Sequence, residues 1–574
     1  MMSPSGTETR DNMASTPAAD VAPGDASVLQ EKSSGHDDTF PGSSPADTTT
    51  TMDHDGEKPR RPSLSNTGSD RSGESTAAEE GGPPPADPFL VEWEGDGSND
   101  PMCPRSISHG RKWAIVLIVS AASFCVTGAS SIYTSAYAAM EAEFGNSRIV
   151  STLGLSLFVL GLALGPMLFG PLSEFYGRRP IYLVAWTMYL IWIIPQAVAP
   201  NIATMIVCRF LDGFAGSTFL AVSGGTVSDL FSREQLQWPM AIFSAAPFTG
   251  PCIGPLIGGF INQNTPVWRW TFWVLLIWAG VLEVAIVFFV PETFHPVLLR
   301  KKANKVRAET GDNRWHAATE TVRDGSGKDT PPHAPTDFGA VSRAIGLSLL
   351  RPIQLLVLEP MCLCLCTFTA ILLGILYLFF GAFPLVFGTV YGFTLDQVGL
   401  SFLGILTGLI IGCAMDPVWA GVRARLSRKL SAETGVEGAS EPEFRLPAAM
   451  LGSLCVPVGI FIFAWTCYPS VHWIVPMVGA MLFGFGIVLV FTSVFTFLVD
   501  AYPAYAASAM AANTFSRCLF ATAFPLFGTQ MYKALGIHWA TSLVAFLTVA
   551  MIPFPFLFFK YGKQLRQRSR FARA

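Results

Sequence analysis

Residues 246–260 read Ala246-Pro247-Phe248-Thr249-Gly250-Pro251-Cys252-Ile253-Gly254-Pro255-Leu256-Ile257-Gly258-Gly259-Phe260, inside an apolar run long enough to cross a bilayer. Gly250, Gly254 and Gly258 recur every four residues, so they share one face of a helix. In water each interior Gly would cost a helix about 1 kcal/mol and each interior Pro about 3. In lipid such residues are tolerated, because neighbouring helices and local adjustments satisfy the freed backbone groups. A helix face without side chains lets a second helix approach closely. Taken alone, the pattern fits a static packing seam as well as a functional contact.

The rest of the chain has the composition of a membrane protein. Of its 574 residues, 50% are hydrophobic and only 14% are charged. Residues 1–100 are the exception, with 20 Asp/Glu against 6 Lys/Arg and many Ser, Thr, Pro and Gly. Such a segment lacks the apolar content that offsets ordering entropy, and a disordered acidic tail over 1–104 is expected. No basic region followed by an apolar core marks a signal peptide there. Arg60-Arg61-Pro62-Ser63 has the form of a basophilic kinase site, in a Ser-rich tail where chance matches are common.

From Trp113 onward, apolar runs of spanning length follow one another. Six lie near 113–136, 149–170, 181–199, 203–225, 239–261 and 271–290. Six more lie near 361–387, 398–419, 447–467, 472–498, 505–529 and 539–559. The expected fold is an all-α integral membrane protein of twelve transmembrane helices in two pseudo-symmetric six-helix bundles. The bundles cover 105–290 and 352–560, joined by a cytoplasmic loop over 291–351 and followed by a basic tail over 561–574. A 6+6 layout suggests internal repetition with a substrate site between the halves at the bilayer midplane. With an even number of spans both ends lie on one side. Placing them in the cytoplasm leaves only Arg148, Arg269 and Lys533 facing outward, against about 27 Lys/Arg in inner loops and flanks.

Several chemistries find no support. There is no zinc-type His/Cys spacing, no phosphate-cradling loop, no catalytic triad and no nucleotide-binding domain. Cys362, Cys364 and Cys366 alternate around a helix and read as small membrane-embedded thiols. Neither a metal nor a cofactor is expected, and no nucleic-acid partner.

Ionisable groups point elsewhere. The loop after the second span contains Gly170, Glu174, Gly177, Arg178 and Arg179. Its glycines permit a tight turn, and a carboxylate there can pair with an arginine or a helix N-terminus in one conformation and release it in another. Gly412, Asp416, Gly421, Arg423 and Arg425 form a weaker echo in the second half. Charged residues within spans are costly and mark function. Arg209 and Asp212 lie three apart on one face of the fourth span, as a structural ion pair or as a proton-coupling unit. Glu283 stands without a local partner in the sixth span, as a protonation site or as a group in a crevice near the outer surface. Arg517, four residues after Asn513, lies deep in the eleventh span and is expected to face the bundle interior. Glu359 and Asp500 read as interfacial. Phe124, Tyr133, Tyr377, Phe380, Phe383 and Phe491 supply aromatic surface suited to amphipathic organic molecules.

These motifs resemble the major facilitator superfamily, and within it the twelve-span drug:proton antiporters of fungi. Gly170 to Arg179 resembles the superfamily's loop between spans two and three, with Glu174 where Asp is usual. Gly250-Pro251, Gly254-Pro255 and Gly258-Gly259 resemble the antiporter motif of the fifth span. Arg209 with Gly213 resembles the fourth-span motif linked to proton coupling, although Asp212 replaces a small residue there. Trp268 to Trp273, Pro291-Glu292-Thr293, the stretch Asp500 to Phe527 and Lys560-Tyr561-Gly562 are similar to strings of the fungal branch.

The resemblance implies a proton-driven exporter of small organic molecules in the plasma membrane, a monomer embedded in the bilayer. Its partners would be protons and a small-molecule substrate. Glu174, Arg178 and Arg179 would hold a cytoplasmic gate, and Arg209 with Asp212 would couple protonation to motion. The fifth-span motif would seal the domain interface and favours export over uptake. Dedicated export of an endogenous organic acid, toxin or glycolipid is the alternative. A transporter-like sensor signalling through its acidic tail is a reading of another class.

Overall fold

The computed structural model describes residues 87–572 apart from 96, 233–234, 319–321, 324–328, 331–337, 437–439 and 570. Expectations for residues 1–86, including the Arg60–Ser63 site, lie outside the described residues. Eleven helical stretches among the described residues are long and apolar enough to span a membrane. In order they are α1 (His109–Ile132) continuing into α2 (Tyr137–Phe144), α3 (Arg148–Tyr176) and α4 (Arg178–Ala197). The fourth is divided into α5 (Ile202–Gly216), α6 (Thr218–Ala221) and α7 (Ser223–Leu230). Then come α8 (Gln237–Asn264), α9 (Trp270–Phe289) and, after α10 (His295–Thr310) and α11 (Phe338–Leu358), α12 (Pro360–Val390). The next is divided into α13 (Leu395–Ser401), α14 (Leu403–Ala414) and α15 (Asp416–Thr434), followed by α16 (Pro447–Thr466) and α17 (Ile474–Ala501).

The last stretch runs through α18 (Ala506–Met551) and α19 (Pro553–Arg568). A straight helix of its 63 residues would be about three times longer than the bilayer core is thick. It does not run straight. Gly536 has φ 75° and ψ 167°, a conformation open to glycine and strained for other residues. Across it the Tyr532 and Thr541 hydroxyls stand 3.0 Å apart, so the chain folds back on itself. The stretch therefore supplies two crossings, and the total is the expected twelve.

Packing repeats between the halves. In the first, α1 lies along α8, α3 along α5, and α4 along α9; in the second, α12 lies along α18, α14 along α17, and α16 along the final crossing. Each pair occupies the same place in its six-span order, which is the physical content of the internal repeat. The repeat extends to chemistry. Gly161 and Gly213 close the α3–α5 contact, with a Cβ on Gly161 falling 2.5 Å from the Phe210 carbonyl oxygen. Gly408 and Gly484 do the same for α14 and α17.

The glycine–proline helix α8 meets neighbours on two sides. A Cβ on Gly250 would stand 2.8 Å from the Phe124 carbonyl oxygen, and one on Gly254 2.5 Å from that of Gly128. One on Gly258 would be 2.8 Å from the Ile132 carbonyl oxygen. These three glycines bring the main chains of α1 and α8 together. Gly259 points elsewhere: a Cβ there would lie 2.5 Å from the Leu395 carbonyl oxygen of α13, in the other half. Gly399 of α13 answers it, with a Cβ position 2.7 Å from the Pro255 carbonyl oxygen. The motif thus joins its own bundle on one face and the opposite bundle on the other.

Both ends of the described helical array lie on one face, called here the terminal face; Gly259 and Leu395 lie toward the distal face. On the terminal face the structure departs from the expected boundaries. Described residues before 104, expected to be disordered, are ordered. β1 (Leu90–Val91) pairs in parallel with β2 (His316–Ala317), and Val91, Ala303 and Ala317 form a small buried core. Lys302 bonds Asp100 at 2.5 Å and the Glu92 carbonyl at 3.0 Å while lying over the Trp93 ring. The described residues between 87 and 104 are ordered because α10 offers them an apolar ridge and a cation, which tail composition could not reveal. Within 291–351, α10 and α11 are helical, and α19 carries the basic end on to Arg568.

Close approach along α8 makes a stability prediction. Gly254→Leu should lower the melting temperature of the purified protein by several degrees, a cost of about 1–3 kcal/mol from overpacking. Gly280→Ala in α9, where a Cβ meets nothing within 4 Å, should leave melting unchanged or slightly raised. Equal melting of the two variants would contradict the packing described.

Candidate functional site

Three polar clusters stand out, one on the terminal face and two in the middle of the bundles. The first is built around the turn between α3 and α4. Gly177 ends α3 with φ 98°. A Cβ there would collide with the Glu292 carboxylate, so glycine is required both for the turn and for the close approach. Glu292 accepts from the backbone N–H groups of Arg178 at 2.9 Å and Arg179 at 3.2 Å, the first residues of α4. It also accepts from Thr293 at 3.0 Å and Phe294 at 2.9 Å. A carboxylate at a helix N-terminus satisfies orphan donors and opposes the positive end of the helix dipole. Arg178 donates to the Ser173 hydroxyl at 2.8 Å, pairs with Asp229 at 3.5 Å and lies over the Phe294 ring. Arg179 donates to the Val287 carbonyl at 3.1 Å.

The expected gate carboxylate is therefore corrected. Glu174 is exposed and makes no hydrogen bond or ion pair among the described residues. It sits one turn too early on α3 and points off the bundle. Glu292 and Asp229 make the helix-terminus and arginine contacts expected of it. Glu292 was legible within the Pro291-Glu292-Thr293 string, and Asp229 only as a carboxylate beyond the end of an apolar span. His295 anchors α10 to the same cluster, its ring 3.0 Å from the Asp229 carbonyl oxygen, and burial pushes its imidazole down from the ordinary value. Gly170 has open space around it and closes no contact.

The second half repeats this arrangement with the charges exchanged between elements. Here Glu443, before α16, receives a two-pronged contact from Arg566 of α19 at 2.9 and 2.8 Å. A Cβ on Gly562 would stand 2.6 Å from the same carboxylate. Asp416, the expected echo of Glu174, instead accepts from Gln237 of α8 at 3.5 Å, a polar contact between the halves.

The second cluster surrounds Arg209. Its guanidinium is fully buried between the rings of Phe158 at 4.2 Å and Tyr133 at 4.6 Å. It donates to the carbonyls of Ala129 at 3.0 Å and Ser130 at 3.3 Å in α1. Asp212, also fully buried, turns the other way and accepts from Gln196 of α4 at 3.0 Å. No direct ion pair joins the two among the described residues, so the structural-pair reading fails. Residues three apart share a helix face, but Arg209 reaches toward α1 while Asp212 meets α4. The Ser130 hydroxyl lies 3.0 Å from that of Tyr377 in α12. One residue therefore receives Arg209 through its backbone and touches the opposite half through its side chain. Sequence gave no signal for Ser130.

The third cluster lies along the seam between the halves. Phe248 of α8 stacks on Phe491 of α17, with centroids 5.0 Å apart, and Phe491 stacks on Phe495 at 5.8 Å. Arg517 of α18 lies over Phe495 at 4.6 Å and Phe491 at 5.5 Å. As expected, it faces inward. Asn513, one turn earlier, is buried and donates to Thr369 at 2.8 Å, fastening α18 to α12. Glu283 is not in this seam. It accepts from Thr187 of α4 at 2.9 Å on the bundle's periphery, nearer the terminal end of α9 than the distal one. Phe380 and Phe383 pack against Phe402 and belong to the core of the second bundle.

Two bundles meeting at a polar, aromatic seam, with paired ion locks at one face, define a multi-pass membrane transporter. The family model of the Major Facilitator Superfamily matches residues 119–525. The chain is 49% identical to the efflux pump atB of Aspergillus terreus, over 85% of this chain and 90% of that protein. It is 42% identical to the probable drug/proton antiporter YHK8 of Saccharomyces cerevisiae, over 82% and 87%. The Monascus ruber citrinin biosynthesis cluster MFS transporter mrr1 is 39% identical over 85% and 94%. In structure the chain is similar to the xylose transporter XylE of E. coli in a partially occluded inward-open form, with TM-score 0.54 and 15% identity, covering 78% of this chain and 99% of that one. The chain belongs to the major facilitator superfamily, in its fungal drug:proton antiporter branch.

The corrected lock is open to test. Glu292→Ala should destabilise the purified protein by about 1–3 kcal/mol, because it strands backbone donors at the start of α4. Glu174→Gln should stay within about 0.5 kcal/mol of the parent. Thermal melts in detergent separate them, and the reverse ranking would restore Glu174 to the lock.

Proposed function

We propose that this protein is a proton-coupled exporter of small organic molecules, set in the plasma membrane as a monomer with both ends in the cytoplasm. The observation that carries the coupling is the path from Arg209 through Ser130 to Tyr377. A cation fully buried in the first bundle is tied to the backbone of α1 at the residue that bonds the second bundle. Asp212 is the acid nearest it in sequence and shares its burial. Protonating Asp212 removes the negative charge that offsets Arg209 in a low-dielectric setting. Arg209 then draws harder on the α1 carbonyls, and α1 carries that change to the seam. The terminal face becomes the cytoplasmic one, where Glu292–Arg178–Asp229 and Glu443–Arg566 each brace one bundle from within and the Gln237–Asp416 contact joins the two halves. On the outer side the main-chain contact of α8 with α13 closes the path. Alternating access exchanges one closure for the other.

Dedicated export of an endogenous metabolite is the second reading. It is favoured by relatives named for biosynthetic clusters, such as those of citrinin and ascochitine.

Arg209→Ala should insert normally and lose export, measured as efflux from cells or proteoliposomes. Dissipating the pH gradient should stop transport, while ATP depletion at a maintained gradient should not. Wild-type efflux by the Arg209 variant would end the coupling role, and gradient-independent efflux would end proton coupling.

A further inference from the structure

Charge in this molecule is paired where the chain can pair it. Arg148, Arg178, Arg269, Arg445 and Arg566 each have a carboxylate within 3.5 Å. All five lie toward the ends of the helices. Among the described residues Arg209, deep in the first bundle, lacks a direct ion pair but gives its donors to the Ala129 and Ser130 carbonyls; Arg517 has neither resource. It stands 11 residues into α18, about 16 Å along the helix axis, and no carboxylate pairs with it among the described residues. Among the described residues its one hydrogen bond to a side chain is a long 3.4 Å contact to Thr514. A guanidinium presents five donors in a planar fork. A cation held at this depth without a counter-charge is costly and marks a functional position.

Its surroundings define what it is held for. Phe248, Phe491 and Phe495 form a near-parallel stack across the seam, with interplanar angles of 22° and 8° between successive rings. Arg517 and Phe495 are only half-buried, so the guanidinium edge and the last ring of the stack retain free surface in the middle of the molecule. The ring faces hold the cation in place without neutralising it.

We propose that Arg517 with this Phe stack is an anion-recognition site, and that the exported molecules are flat aromatic or conjugated organic acids carried as carboxylates or phenolates. The substrate supplies the counter-charge that the chain withholds. Its carboxylate takes the guanidinium fork in a charge-assisted contact, and its apolar ring continues the stack from Phe495. Aromatic stacking alone accepts many ring systems; the unpaired cation selects sign. A cationic drug of the same shape would meet Arg517 and be repelled. This assignment of substrate class rests on the exporter reading above.

The test uses the full-length protein purified in detergent, with 1-naphthoate as the probe and neutral 1-naphthamide of the same shape as its control. Equilibrium binding should favour naphthoate by about tenfold or more, as a charge-assisted contact does. Arg517→Gln should bring the two ligands within about threefold, while Arg517→Lys should retain part of the preference. Phe495→Leu should weaken both ligands together. Equal binding of the two ligands by the parent protein, binding of neither, or a preference that survives Arg517→Gln would overturn the proposal. The parent comparison needs no variant to fold. Proteoliposomes with an imposed pH gradient keep the two readings apart. Gradient-driven flux of naphthamide but not naphthoate would remove the anion site and leave the exporter. Naphthoate binding without gradient-driven flux would keep the site and remove the exporter.

Discussion

The contact between α1 and α8 has almost no side chains in it, and the arrangement of the two bundles depends on that. In a bilayer the apolar solvent gives helices little reason to associate, so packing distance decides which pairs hold. Gly250, Gly254 and Gly258 let the α8 main chain lie directly on α1. Gly259, turned toward the other face, lets the same helix touch α13 of the opposite bundle. Because α8 is held closely on both sides, a shift of α1 cannot be absorbed by soft side chains. In the proposed cycle it is passed to the seam between the halves.

Arg209 is bonded to this stiff junction. Its donors meet the α1 carbonyls at Ala129 and Ser130, between the positions where Gly254 and Gly258 press on the same helix. The Ser130 hydroxyl then reaches Tyr377 in the second bundle. Charge state, helix position and inter-bundle contact are joined within a few residues of α1. At the terminal face each half carries an ion pair, Arg178 with Asp229 beside the Glu292 cap of α4 in one and Arg566 with Glu443 in the other. Two such pairs, far from the seam, give each bundle a rigid base from which to rock.

Much of this was legible beforehand. Twelve spans followed from apolar run length, and the inward position of Arg517 from its depth in a span. The glycine spacing of α8 correctly announced a close helix contact, because a period of four must fall on one face. Other readings failed for identifiable reasons. Glu174 lay in the right loop but on the wrong side of α3, and a loop motif does not say which carboxylate reaches back to it. Arg209 and Asp212 were adjacent on a helix face, yet each found its partner on a different neighbouring helix. The tail after residue 87 looked too polar to fold until α10 supplied its other half.

The sequence by itself determined the class of protein, the number of crossings and the identity of the buried charges. Those depend on local quantities: hydropathy over a bilayer's thickness, helical periodicity and the cost of an ion in lipid. Only the tertiary structure decided which groups meet. Glu292 under Gly177, Ser130 against Tyr377 and Phe248 beside Phe491 are separated by more than a hundred residues in the chain. Their contacts arise from how whole helices pack. Arg517 lies between the two cases. Its depth was readable from the chain, but its isolation from every partnering carboxylate was not, because a counter-charge can come from any helix that happens to pass.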